Sequence, residues 1–284
     1  LGKLKILLVV WQIPVGFSSI TGVEFPASYS QFLTWINVVN LDIGDLFSAS
    51  CVLPSLNFYL RLLASTLTPL LLAAGLGRAG VIARRDAWSR HVAAGLFLTF
   101  LVFTSVSTVV FKTFPCDDGV VDGESYLRVD YSISCKSNLH MFFLVYAGLM
   151  ILVYPIGTPV LYAAILWKNR ESLNPRILTG PDGVDESATG AEKAKNYWSS
   201  QELQTLEEMV KARRENPELV PSMFLWKDFD PEHFYYEVLE CGRRMVLTGV
   251  LIFIAPGTAS QAAMSCIFAF GSIMGFKLMR PHSD

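Results

Sequence analysis

The sequence predicts an all-α membrane protein, a polytopic bundle of about six transmembrane helices. Charged residues make up 17% of the 284 positions, against roughly 25% in soluble domains, and apolar residues make up 52%. Uncharged runs of about 18 residues or more are transmembrane candidates, and a soluble helical core would have to bury four of them. The four runs are Ile6–Val23, Val92–Phe111, Met141–Trp167 and Met245–Phe276. The net charge of −2 gives no reason to expect nucleic acid as a partner.

The spans follow from these runs in order. A fifth apolar segment, Leu46–Leu76, is interrupted only by Arg61. The last uncharged run is too long for one span and is divided by "APGTASQ", in which Pro and Gly indicate a turn. We therefore expect one continuous helix over 231–255, whose second half crosses the membrane, followed by a tight hairpin. The six predicted spans are 5–23, 52–77, 92–112, 139–167, 242–255 and 258–278.

Basic residues predict the orientation of the spans. If the N-terminal end is cytoplasmic, 14 lysines and arginines near the spans fall on the inner side and three on the outer side. Cytoplasmic loops carry this excess of Lys and Arg, so we expect an integral membrane protein with both ends of the chain in the cytoplasm. The chain begins without Met and reads as part of a longer protein. The expected partners are the lipid bilayer, with ions and a second copy of the chain as further candidates.

The only long polar region is the predicted cytoplasmic loop 168–241. Its Gly-, Ala- and charge-rich part, 179–196, predicts a flexible link. Ser199 and Glu202 then form a capping box, which predicts a helix that ends before Pro217. This helix either binds a partner or packs on the rest of the domain, and we favour packing.

Three of the five cysteines fall on the predicted outer side. Cys116 and Cys135 bracket the acidic loop "CDDGVVDGESYLRVDYSISC", and an oxidising outer environment favours a disulfide between them. Unpaired thiols, or pairing with Cys51, are the alternatives. The sequence offers no C-x-x-C pair or Cys/His cluster that predicts zinc.

Arg61 is the one charge inside the second predicted span. An arginine inside a span costs about 2.5–3.5 kcal/mol on insertion scales, so it normally pairs or faces water. Asp42 and Asp45, in the preceding outer loop, are its natural partners. Such a pair would shape an outer vestibule or an ion path. The alternatives are a purely structural ion pair, or an Arg61 side chain that extends to the membrane surface.

The stretch "VYPIGTPV" (153–160) predicts a distortion in the fourth span. Pro155 and Pro159 lack an N–H, so the carbonyls four residues earlier lose their helical partners, and Gly157 lets the backbone bend. Carbonyls freed inside a membrane must be satisfied by neighbours, water or an ion. The distortion is either a working hinge or constriction, or a fixed kink that helps the helices pack.

The remaining polar residues in the spans predict no catalytic centre. Gln261 is expected to be a buried amide that bonds across helices. The sequence contains no Ser-His-Asp set, paired intramembrane carboxylates, phosphate loop or metal-ligand spacing. We therefore expect neither an enzyme nor a cofactor or metal site.

Several phrases together resemble a known family. They are "LKILLVVWQIPVGF", "VNLDIG", "SYLRVDYSISC", "YAGLMILVYPIGTPVLY" and "YYEVLECGRRMVLTGVLIFIAPGTASQAA". Their order is similar to the transient receptor potential channel-like membrane region at the C-terminus of large multidomain surface proteins of protists and algae. The resemblance implies extracellular repeats upstream, and therefore a further span before residue 1. It implies a location in the plasma membrane and a channel-like function, but it transfers no functional residue.

Three functions are compatible with these observations. The first is a channel-like or sensory domain at the end of a larger surface protein. The second is a membrane anchor or assembly module that does not conduct. The third is a transporter or a lipid-handling membrane protein. A continuous polar path beside Arg61 and Pro155 would favour the channel, and a lateral groove open to lipid would favour lipid handling.

Overall fold

The computed structural model of the chain describes residues 57–82, 85–121, 124–174, 209–254 and 259–279, together with residues 26, 28, 29 and 31. These parts are mostly helical. The helices with described bounds are α1 (Phe58–Ile82), α2 (Arg85–Phe111), α3 (Asn138–Ile151), α4 (Gly157–Lys168), α5 (Arg170–Leu173), α6 (Met223–Trp226), α7 (Tyr236–Thr248) and α8 (Ala259–Met279). Residues 209–215 are also helical.

Three helical segments are long and apolar enough to cross a membrane. They are Phe58–Gly80, Trp88–Phe111 and Asn138–Lys168. They correspond to the second, third and fourth predicted spans, whereas the first, 5–23, lies outside the described residues. The structure therefore contains three candidate membrane spans in its described part, and a total of six spans stays a prediction.

α2 is the central helix of the bundle. Inside the protein, 61% of its apolar stretch is buried, against 22% for the α1 stretch and 28% for the segment that contains α3 and α4. Val102, Val106 and Val110 of α2 pack with Phe58 and Leu62 of α1 in one apolar cluster. The chain direction reverses between α1 and α2 and again between α2 and α3, so the three candidate spans run antiparallel.

A three-stranded antiparallel sheet covers one end of the bundle. Its strands are β1 (Cys116–Val121), β2 (Glu124–Leu127) and β3 (Asp130–Ser134), in the order β1-β2-β3. Leu127 and Ile133 are buried against the helices. The sequence predicted only a loop here, so the prediction of an all-α fold was wrong in this segment. A small strand rich in Asp, Gly and Ser has too little apolar alternation to be recognised.

Part of the predicted cytoplasmic loop packs against the other end of the bundle. Leu173, Leu219, Leu225 and Trp226 are almost fully buried there, in a cluster that also contains Tyr162 of α4. Packing is the interpretation favoured above for the helix before Pro217, and in the described part of that helix Arg213 is buried and donates to the Phe229 carbonyl over 2.9 Å. The predicted flexible link 179–196 and the capping box lie outside the described residues.

The predicted continuous helix over 231–255 was wrong. A 3₁₀ turn, Pro231–His233, precedes α7. α7 ends at Thr248, and Gly249 separates it from a second 3₁₀ turn, Val250–Phe253. A Cβ at position 249 would lie 2.4 Å from the Phe111 ring, so only glycine fits this close approach. The span predicted at 242–255 is therefore not one helix. The described helix α8, Ala259–Met279, lies in the predicted span 258–278, and its apolar part, Ala263–Met279, is shorter than the three candidate spans.

Candidate functional site in the helix bundle

A fully buried ion pair lies between α7 and α2. The Nη2 of Arg244 donates to Oε1 of Glu237 over 2.8 Å, and both side chains are 0% exposed. The guanidinium also lies over the Phe100 ring, 4.5 Å from its centroid. Phe100 is near the middle of the candidate span Trp88–Phe111, about 17 Å from either end at 1.5 Å per residue. The ion pair therefore lies level with the middle of α2.

The second ion pair of α7 lies nearer the surface of the bundle. Arg243 donates to Glu240 one helical turn earlier, and the side chain of Arg243 is 32% exposed. Glu240 also lies 3.9 Å from the Nε of Arg244. The two arginines are adjacent in sequence but differ completely in environment, because successive helical residues point about 100° apart.

Three buried hydroxyl groups of α2 lie on the same side of that helix as Phe100, which contacts Arg244. Thr108 donates to the backbone carbonyl of Thr248, the last residue of α7, over 2.9 Å. Thr104 and Ser107 are buried on the same stripe of α2, and neither hydroxyl has a hydrogen-bond partner in the described part of the chain. We call Arg244, Glu237, Thr104, Ser107 and Thr108 the polar seam. Within this seam, Arg244 and Thr108 join α7 to α2.

A second set of hydroxyl contacts joins α1 to the fourth predicted span. The Thr66 hydroxyl lies 2.6 Å from the Tyr146 hydroxyl, and Tyr154 donates to the Thr66 carbonyl over 2.6 Å. Pro69 removes the helical partner of the Ser65 carbonyl in the same turn of α1. These contacts attach the distorted part of the fourth span to α1.

The predicted distortion is a π-helical turn. It covers Leu152–Ile156, between α3 and α4, and contains Pro155. The Leu152 carbonyl oxygen lies 2.8 Å from the place of a Cβ on Gly157, so a side chain there would collide with backbone. Pro159 follows in the first turn of α4. A break in α-helical bonding is present where the sequence predicted it. Its use as a hinge stays a prediction.

The structure leaves the predicted Arg61 pair untested. Arg61 lies in the first turn of α1 and its side chain is half-buried. Asp42 and Asp45 lie outside the described residues, so the charge pair stays a prediction.

Gln261 is fully buried, and its Nε2 donates to the Leu251 carbonyl over 2.7 Å. This bond ties α8 to the 3₁₀ turn that follows α7.

The disulfide predicted between Cys116 and Cys135 is present, with a Cα–Cα distance of 6.5 Å. It joins the first strand of the sheet to the residue after the last. The buried His140, from the first turn of α3, lies beside it, with Nε2 3.9 Å from the Cys116 sulfur. His140 was expected to be a buried polar residue of the span, but its place beside the disulfide was not predicted. Its only local signal was its place five residues after Cys135, just inside the start of a span.

An ion pair stabilises the sheet on its exposed side. Arg128 donates to Asp117 through Nε, at 2.9 Å, and through Nη2, while the Tyr131 hydroxyl donates to the other carboxylate oxygen over 2.8 Å. The hydrogen bond from Arg128 holds the pKa of Asp117 below its ordinary value of 3.8. The sheet therefore favours the charged form of this carboxylate.

The fold and these contacts define a class of protein: a mostly helical chain with three candidate membrane spans, a disulfide-linked sheet at one end and a buried polar seam within the bundle. Comparisons with protein families, with curated proteins and with solved structures found no match to the chain. The resemblance to the transient receptor potential channel-like membrane region stays a prediction.

Proposed function

We propose that the chain is a channel-like or sensory integral membrane domain, and that the polar seam is the part that conducts or responds. The observation that carries the proposal is the fully buried Arg244–Glu237 pair beside the middle of α2. Ionisable residues inside transmembrane bundles are costly, face the bundle interior or a water-filled cavity, and mark ion or substrate paths.

The hydroxyls of Thr104 and Ser107 support the same proposal. A buried hydroxyl without a hydrogen bond costs about 1–3 kcal/mol in mutational data. Both are buried and have no hydrogen-bond partner among the described residues. Water or an ion that entered the seam would satisfy them. A state in which α7 separates slightly from α2 would therefore be stabilised by hydration of these groups.

The π-helical turn supplies a place where such a movement could begin. π-Turns occur often at functional sites. Tyr154 of this turn bonds to α1, and α4, which follows the turn, packs beside α7. A change in the turn would therefore be transmitted to the helix that carries the buried ion pair.

The direct test is ion flux into liposomes that contain the purified chain, measured for potassium and for chloride. Thr104→Val and Ser107→Ala remove the hydroxyls from the seam with little change in volume. Ser272→Ala is the matched control, because Ser272 lies on α8 and bonds to its own helix at the Phe268 carbonyl. We expect the two seam variants to change flux several-fold and the control to leave it unchanged.

Two results would contradict the proposal. Flux no greater than in empty liposomes would favour the anchor or assembly module instead. Flux that is equal in the seam variants and the control would place the path elsewhere. Replacing Pro155 and Pro159 by Ala tests the hinge separately: altered flux at equal surface expression supports a hinge, and unchanged flux leaves the turn as a packing feature.

The orientation is part of the same proposal: plasma membrane, with both ends of the chain in the cytoplasm and a further span upstream. Epitope tags at residue 1 and at the N-terminus of the full-length protein, tested for antibody access in intact and permeabilised cells, decide it. Two tags on the same side of the membrane would contradict the upstream span.

A further inference from the structure

Three metal-binding side chains meet where the sheet joins the bundle. The sulfurs of Cys116 and Cys135 and a ring nitrogen of His140 all lie within 4.8 Å of one another. His140 is 1% exposed, and the two cysteines are half-buried. While the disulfide is intact its sulfurs are poor ligands, because zinc binds the thiolate form. The cluster can therefore bind a metal ion through all three side chains only when the two cysteines are reduced.

The histidine is already oriented as a metal ligand. Its Nδ1 lies 3.0 Å from the Tyr59 hydroxyl, while Nε2 faces the Cys116 sulfur. If Nδ1–H donates to the tyrosine oxygen, Nε2 carries the free lone pair. A histidine that binds a metal through one ring nitrogen almost always donates the N–H of the other nitrogen to a hydrogen-bond acceptor. Tyr59 in turn stacks on Phe143 with 4.0 Å between ring centroids, which fixes its hydroxyl.

The backbone around the cluster does not depend on the disulfide alone. Cys116 pairs with Leu127 across β1 and β2, and the Cys135 amide donates to the Ser125 carbonyl over 2.9 Å. The Ser137 hydroxyl caps α3 by accepting from the His140 amide. Each ligand residue is therefore held in place by backbone hydrogen bonds that remain when the disulfide opens.

We propose that Cys116, Cys135 and His140 form a redox-gated zinc site, closed as a disulfide and able to bind Zn²⁺ when reduced. A dithiol reductant supplies two electrons and two protons, gives two cysteine thiols and leaves as its own disulfide. Zn²⁺ then displaces the two thiol protons and binds two thiolates and the imidazole. Two sulfurs and one nitrogen suit zinc, and the fourth tetrahedral position is left for water.

The geometry requires only a local adjustment. With Zn–S bonds of about 2.3 Å and tetrahedral angles, the thiolate sulfurs lie about 3.8 Å apart. Rotation of the two cysteine side chains provides this separation without moving the strands. The metal would also connect the sheet to α3, a connection that the disulfide itself does not make. Redox state would thereby change how firmly the sheet is attached to the bundle.

The test uses the full chain with Cys51, Cys241 and Cys266 replaced by serine, so that only the cluster cysteines remain. After reduction by a phosphine and removal of the reductant without oxygen, Co²⁺ is titrated as a spectroscopic probe for zinc. We expect one equivalent of Co²⁺ to bind, with a thiolate-to-cobalt charge-transfer band and the visible bands of tetrahedral cobalt. Zn²⁺ should abolish both bands, and the oxidised protein should show neither.

Variants separate the ligand from its support. Tyr59→Phe keeps all three ligands but removes the partner of His140, and we expect about 10–100-fold weaker metal binding. His140→Asn should remove the tetrahedral cobalt bands. If that variant does not fold, protection of Cys116 and Cys135 from a maleimide by Zn²⁺ in the otherwise unchanged protein gives the answer. Reduced protein that binds no Co²⁺, or cysteines that Zn²⁺ does not protect, would overturn the proposal.

Discussion

Replacing Arg244 should destabilise the protein far more than replacing its neighbour Arg243. Arg244→Met removes the guanidinium that pairs with the buried Glu237 carboxylate, and breaking a buried pair in this way costs about 3–5 kcal/mol. Arg243 is 32% exposed, and an ion pair of that kind contributes about 0–1 kcal/mol. The two single variants differ only in which of two adjacent arginines is lost, so each controls for the other.

The double variant sharpens this test. Glu237→Met combined with Arg244→Met removes both charges, and replacement of a buried pair by apolar side chains is often neutral or stabilising. We expect it to lose at most about 2 kcal/mol, mainly from the lost contact with Phe100. The free energy of unfolding is measured in mixed micelles by circular dichroism. Strictly additive single effects, or equal losses for Arg243→Met and Arg244→Met, would refute the reasoning.

Two further substitutions test the close packing and the sheet. Gly249→Ala should destabilise by about 1–3 kcal/mol, because its Cβ would overlap the rigid Phe111 ring; a midpoint of thermal unfolding equal to that of the unchanged protein would contradict this. The pKa of Asp117 is lowered in the folded state, so its stabilising effect is complete above the unfolded pKa and is lost as the pH falls through the folded pKa. An asparagine at position 117 carries no carboxylate to protonate, so in Asp117→Asn the protection of the sheet, measured by hydrogen exchange, should not decrease below about pH 4. A variant whose sheet loses protection in acid as much as the unchanged protein would show that other groups cause the loss.

The sequence predicted best where the local pattern was sufficient. Uncharged runs predicted the second, third and fourth spans, and the missing proline N–H predicted the break at Pro155. Each of these signals lies in one continuous stretch of sequence. The disulfide followed from two cysteines that bracket one loop. None of these predictions required knowledge of which helices are neighbours.

The ion pair of α7 was missed because it depends on tertiary contacts. From the sequence alone, Arg243 and Arg244 were only two of the 14 basic residues counted on the inner side of the membrane by the positive-inside rule. Only the packing of α7 on α2 reveals that Arg244 lies over Phe100 and bonds to Glu237. The end of α7 was missed for a similar reason, since the need for glycine at 249 comes from a ring on another helix.

The π-helical turn also sets the rotational phase of the fourth span. Leu166 follows His140 by 26 residues, which at about 100° per residue would rotate the two side chains about 80° apart in an uninterrupted α-helix. Both are buried in the bundle, and a π-helical turn, which absorbs one extra residue, offsets about 100° of this rotation. Deleting one residue within 152–156 would restore α-helical bonding and keep both faces inward. A substitution that restores it without a deletion would instead turn one half of the span by about 100°, away from α2.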